Sequence, residues 1–100
     1  MKAILIDPEA RLLDVIDLAD TAQIAELIGY HTIETDEVGE QGDRLHFDEE
    51  CFIRGSKGRF QIDSLIPVAG KGVVVGADGD GGLSDVAMDV EALRARTKFL

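Results

Sequence analysis

At 100 residues the chain has the length of one ordinary domain, and 45% apolar residues are enough to fill one core, so disorder is excluded despite 30% charged residues. A formal charge of −10, from 20 acids against 10 bases, repels phosphate backbones and argues against direct nucleic-acid binding. The single cysteine, Cys51, excludes an internal disulfide; with no apolar run near the roughly 20 residues of a membrane helix and no signal peptide at residues 1–8, a single cytoplasmic domain over residues 1–100 is expected.

Residues 2–6 (Lys-Ala-Ile-Leu-Ile) form a short apolar run of the kind found in a strand covered on both faces. Asp7-Pro8-Glu9-Ala10 has turn chemistry, with Asp at the first position and Pro presetting φ at the second. Residues 11–17 then read as the returning strand of a hairpin. Leu12, Val15, Ile16 and Ala19 also fit a helical stripe, but the turn and the β-branched residues favour the strand. A helix is predicted over residues 21–28, capped by Asp20 with Gln23 as capping-box partner. Its apolar face (Ile24, Leu27, Ile28) suits packing on a sheet, and Gly29 stands where a left-handed residue ends a helix.

Residues 31–38 read as an acidic strand or edge, and residues 39–42 as a loop. Residues 44–47 and 51–53 are expected as two short strands around the turn Asp48-Glu49-Glu50. Gly55-Ser56-Lys57-Gly58 turns the chain into a strand at 59–62, residues 64–70 with Pro67 form a connection, and residues 71–75 form another apolar strand. A glycine-rich turn over residues 77–82 leads into residues 83–88. Asp89 caps a C-terminal helix over residues 90–98, where Arg94, Arg96 and Lys98 suit the negative end. Many short strands and one or two helices predict an α+β domain around a mostly antiparallel sheet.

Charge is unevenly spread. Residues 1–50 hold 14 Asp/Glu against 3 Lys/Arg, a balance of −11, and residues 51–100 hold 6 against 7, a balance of +1. The densest run supplies the candidate partner-binding residues: Glu34, Asp36, Glu37, Glu40, Asp43, Asp48, Glu49 and Glu50. One reading is a solvated face that keeps a small domain in solution. The other is a surface that meets a basic groove on another protein, in its sharpest form a mimic of nucleic-acid phosphates with carboxylates in a row.

Other constellations are weaker. His46, Asp48 and Cys51 lie close in sequence and invite a metal site or a Cys–His nucleophile pair, against the plainer reading of Cys51 as a small buried apolar residue. His31 reads as a strand residue with no partner. Asp78-Gly79-Asp80-Gly81-Gly82 begins like an EF-hand loop, but Gly82 takes the third acidic position, Leu83 the glycine position and Asp89 the twelfth, so a hairpin turn accounts for it better. Gly70-Lys71-Gly72 lacks the spacing and the Ser/Thr of a phosphate loop. Arg54, Lys57 and Arg59 form a small basic cluster that offsets nearby acids.

The opening Met-Lys-Ala-Ile-Leu-Ile-Asp-Pro, the helix end Glu26-Leu27-Ile28-Gly29, the turn Asp48-Glu49-Glu50 and the run Gly70-Lys71-Gly72-Val73-Val74-Val75-Gly76 follow in an order and spacing that resemble a family of small domains of unknown function. That family is encoded largely by phages, plasmids and actinobacterial or proteobacterial mobile elements. Cys51 departs from the glycine of that pattern, and residues 83–100 lie outside it. The resemblance implies a mobile-element setting, in which small acidic proteins often act by binding a host protein, and it carries over no catalytic residues.

The sequence therefore predicts a non-enzymatic interaction domain, with no cofactor and no metal, whose partner is the basic surface of a host or mobile-element protein. It leaves self-association into a homodimer open. The competing readings are a small-molecule or metal-binding domain using His46, Asp48 and Cys51, and a structural subunit of a phage or mobile-element assembly.

Overall fold

A computed structural model describes residues 1–80 and 82–100. In chain order the elements are β1 (Lys2–Asp7), β2 (Leu12–Asp17), α1 (Ala22–Ile28), β3 (Ile33–Val38), β4 (Asp43–Asp48), a 3₁₀ turn (Cys51–Ile53), β5 (Arg59–Ile62), β6 (Val68–Ala69), β7 (Gly72–Ala77), β8 (Leu83–Ser84), α2 (Val90–Arg96) and β9 (Thr97–Phe99). They build an α+β domain of two antiparallel sheets. The larger runs β2-β1-β7-β4-β3 with β8 also paired to β7, and the smaller runs β6-β5-β9.

The predicted first hairpin forms, with six residue pairs from Lys2↔Asp17 to Asp7↔Leu12. β3 and β4 form a second hairpin, from Ile33↔Asp48 to Val38↔Asp43. β7 lies between the two hairpins, pairing with β1 on one side and β4 on the other. Its Val73, Val74 and Val75 are fully buried, as a strand covered on both faces requires.

Alternation along the strands sorts the core into two clusters. On one face, Ala3, Val73 and Val75 pack with Ile24 and Ile28 of α1. On the other, Ile4, Ile6, Leu45 and Val74 pack with Phe60, Ile62 and Val68 of the small sheet and with Leu93 of α2. The large sheet is thus the middle of three layers. Among the described residues no helix is long and apolar enough to cross a membrane.

Both helices are delimited by local chemistry. Gly29 takes φ +92° and donates its N–H to the Ala25 carbonyl, closing α1 as predicted. The Asp20 carboxylate accepts from the Gln23 N–H at 3.3 Å, while the Gln23 side chain reaches back to the Ala19 N–H; α1 itself starts one residue after Thr21. Asp89 caps α2 through the Glu91 N–H at 3.2 Å.

Three sequence expectations are corrected. The C-terminal helix stops at Arg96 and not at residue 98, because Thr97 turns extended and residues 97–99 pair with β5, setting Phe99 opposite Phe60. Pairing with the open side of β5 outweighs two more helical residues. Residues 51–53 form a 3₁₀ turn, closed by the Ile53 N–H on the Glu50 carbonyl, and not a strand. Residues 64–70 are not only a connection, since Val68 and Ala69 pair with β5. The turn expected over residues 77–82 includes Gly81, which lies outside the described residues; Asp78 and Gly82 are joined by a backbone bond of 3.2 Å.

Gly76 shows how tightly β7 is held. A Cβ there would collide with the Asp85 carbonyl oxygen and come within 2.7 Å of the Ser84 hydroxyl. Gly76→Ala should therefore destabilise the domain by about 1–3 kcal/mol. Urea denaturation would show this as a lower midpoint at unchanged slope.

Candidate functional site

The acids singled out in the sequence gather on the β3–β4 hairpin, but the fold gives them different roles. β3 alternates. Ile33 packs in the α1 cluster and Val38 in the opposite one, which places Thr35 and Glu37 on the α1 face and Glu34 and Asp36 on the other. Glu34 and Glu37 are exposed and Asp36 is half-buried. Glu40 is exposed in the turn at one end of the hairpin, and Glu49 and Glu50 are exposed at the other.

Asp43 and Asp48 belong to the interior. Asp43 has no exposed surface, and its two carboxylate oxygens accept the Ala87 and Met88 N–H groups at 2.8 and 2.9 Å. It fastens the segment before α2 to the start of β4. The sequence offered no sign of this, because the partners lie more than 40 residues away and are backbone groups that any residue supplies.

Asp48, 3% exposed, accepts from the Thr32 hydroxyl, from the Glu50 N–H at 3.1 Å and from Arg54 Nε at 2.9 Å. Arg54 also reaches Glu50 at 3.2 Å and lies 4.1 Å from the centre of the Tyr30 ring. Burial alone would push the Asp48 carboxyl up, but the bonds from Arg54, Thr32 and the Glu50 N–H outweigh it and hold the group below its ordinary value. Arg54 thus offsets neighbouring acids, as its sequence position suggested. Arg59 instead lies over the Phe52 ring at 5.2 Å.

The His46–Asp48–Cys51 trio does not assemble. Asp48 is committed to Arg54, and the Cys51 sulfur accepts the Ala69 N–H at 3.4 Å. Among the described residues no three His, Cys, Asp or Glu side chains gather to hold a metal ion. His46 is 9% exposed, and its Nδ1 has no hydrogen-bond partner among the described residues. Burial lowers its pKa, with neighbouring backbone groups of Val73 and Arg44 offsetting only part of the effect. Near Asp78, the carboxylate accepts the Asp80 and Gly82 N–H groups at 2.8 and 3.0 Å, the behaviour of a turn residue.

A cleft of about 350 Å³ opens beside the Asp48 turn, between the end of α1, the β1–β2 turn and the start of β7. Asp7, Glu9, Tyr30, Cys51 and Lys71 line it. The Asp7 carboxylate holds the Glu9 and Ala10 N–H groups, and Cys51 meets a backbone N–H where a nucleophile would need a base. The lining comes from well-separated segments, so nothing in the sequence signalled it.

Two measurements test these assignments. Asp43→Ala should cost about 1–3 kcal/mol of stability, since it removes a buried carboxylate and leaves two part-buried N–H donors without their acceptor, whereas Glu34→Ala and Glu37→Ala should stay within about 0.5 kcal/mol. For His46, the unfolded chain binds a proton near the ordinary value of 6.5, while the folded chain resists it until lower pH. Stability should then be full above 6.5 and fall as the pH drops below it; His46→Leu should flatten that slope in denaturation curves. Asp48 acts in a separate window, its contribution being present above its ordinary 3.8 and lost as the pH falls through its lowered folded value.

Compared with known proteins, the chain matches no protein-family model, no curated protein and no solved structure.

Proposed function

We propose that this chain is a non-enzymatic interaction domain whose acidic β3–β4 hairpin engages a basic surface on another protein. One observation carries the reading: Glu34, Asp36, Glu37, Glu40 and Glu49 flank a single edge strand and form no ion pair among the described residues. Asp48 and Glu50 are matched internally with Arg54, Asp63 with Arg96 and Glu91 with Arg94. Acids outside the hairpin such as Asp14 and Glu26 are also unpaired among the described residues, so what sets the hairpin acids apart is that they gather along one sheet edge. Unmatched carboxylates attract a complementary partner and raise its encounter rate. A mobile-element setting, implied by the resemblance of the opening and glycine-turn motifs, accords with such a role.

Charge density favours a general basic surface over close mimicry of DNA. Six residues of strand span about 20 Å. B-DNA presents about 12 charges over that length. The hairpin offers far fewer, split between two faces, with Asp43 and Asp48 buried.

The cleft supports a second reading, a small-molecule site, because its volume falls at the low end of the range for ligand pockets. A metabolite panel that raises the melting temperature would favour it.

Affinity capture from bacterial lysate tests the main reading, comparing the native chain with Glu34→Lys/Glu37→Lys/Glu40→Lys. A basic protein held by the native chain, released at high salt and lost from the variant is the expected result. Identical captures by both would remove this surface from consideration.

A further inference from the structure

The sheet register shows which backbone groups β3 leaves open. In an antiparallel pair, directly opposed residues alternate between exchanging backbone bonds and facing away. The Glu49 N–H donates to the Thr32 carbonyl at 2.7 Å, and residues 32 and 49 stand opposite one another in the β3–β4 register. Residues 34, 36 and 38 therefore bond to β4, and Ile33, Thr35 and Glu37 turn their backbone outward. Two contacts agree with this parity. The Thr35 N–H is taken by a Glu34 side-chain oxygen at 3.2 Å, not by β4. Carried through β4, β7 and β1, the alternation makes Leu13 an outward residue of β2, and its carbonyl does accept from outside the sheet, from Arg94 at 3.2 Å.

The two edges of the large sheet thus differ. α2 reaches over β2 through Arg94, whereas the outward carbonyls of Ile33, Thr35 and Glu37 and the Glu37 N–H meet no partner among the described residues. The Thr35 N–H is occupied only by a solvent-exposed carboxylate on a flexible side chain.

We infer that β3 is itself the docking edge, and that a basic, extended segment of another protein adds to it as a further strand. This deepens the proposed function and rests on it. Strand addition takes its affinity from main-chain bonds and its specificity from alternate side chains. Here Lys or Arg at two alternate positions of the added strand would face Glu34 and Asp36, and one on the opposite face would meet Glu37. A second copy of this chain is the wrong occupant. Antiparallel β3–β3 pairing about Thr35 would set Glu34 against Asp36, and like charges directly opposite are unfavourable.

The test uses a capped hexapeptide of alternating Lys and Thr at millimolar concentration, and the same peptide N-methylated at every second backbone nitrogen. Strand addition predicts that the first slows hydrogen exchange at the Thr35 and Glu37 amides and binds roughly tenfold or more tightly than the second, although their charges are equal. Thr35→Pro should abolish the protection at Glu37 while keeping the fold, since proline is tolerated where an edge N–H faces outward. Equal binding of the two peptides, no binding, or binding without protection at these amides would overturn strand addition. If Glu34→Lys/Glu37→Lys still weakens capture of a basic partner in that event, the acidic-surface reading survives alone. If charge reversal also changes nothing, both fall. Protection at Thr35 and Glu37 that rises with protein concentration in the absence of peptide would identify self-pairing and overturn the inference.

Discussion

β7 carries backbone pairing to β1 on one side and to β4 on the other, with Val73, Val74 and Val75 sealed from solvent on both faces. The β1–β2 and β3–β4 hairpins share one sheet because β7 lies between them. α1 packs over Val73 and Val75 from one side, and the small sheet and α2 pack over Val74 from the other. Asp43 closes the arrangement by holding the chain that follows β7 and β8 onto the start of β4. The acidic edge thus stands at the rim of a well-anchored sheet.

The two edges of the large sheet are guarded differently. Natural sheets blunt their edges with charge, bulges or a covering segment. Here the β2 edge receives an arginine from α2, and the β3 edge receives only carboxylates. A guard made of charge alone is selective: it repels strands of like sign and admits those of opposite sign. Under the proposed reading, solubility and recognition would be two effects of the same residues, which is why composition does not separate the two readings of the acidic run.

Much of the fold was legible because its signals are local. The Asp7–Ala10 turn, the continuous apolar run of residues 2–6 and the Gly29 helix end each depend on neighbours a few residues away. The errors arose where a distant partner decided. Thr97 and Phe99 leave the helix for β5, more than 30 residues earlier in the chain; the 3₁₀ turn at Cys51–Ile53 is the local exception, closed by the Ile53 N–H on the Glu50 carbonyl and flanked by Arg54 on Asp48. The same rule governs the site. The acidic run was visible at once, but the removal of Asp43 and Asp48 from the surface depends on Ala87, Met88 and Arg54, and the open face of β3 on a register that spans the whole sheet.

The late position of β7 bears on how the domain is made. As the chain leaves the ribosome, both hairpins of the large sheet emerge before the strand that unites them, and they wait with unpaired edges until residue 77 is available. Non-local pairing of this kind slows folding and prolongs exposure of sticky intermediates. The waiting segment is the one with a balance of −11, so nascent hairpins on neighbouring ribosomes repel one another. The acidity of the first half thus opposes association between unfinished chains until β7 closes the sheet.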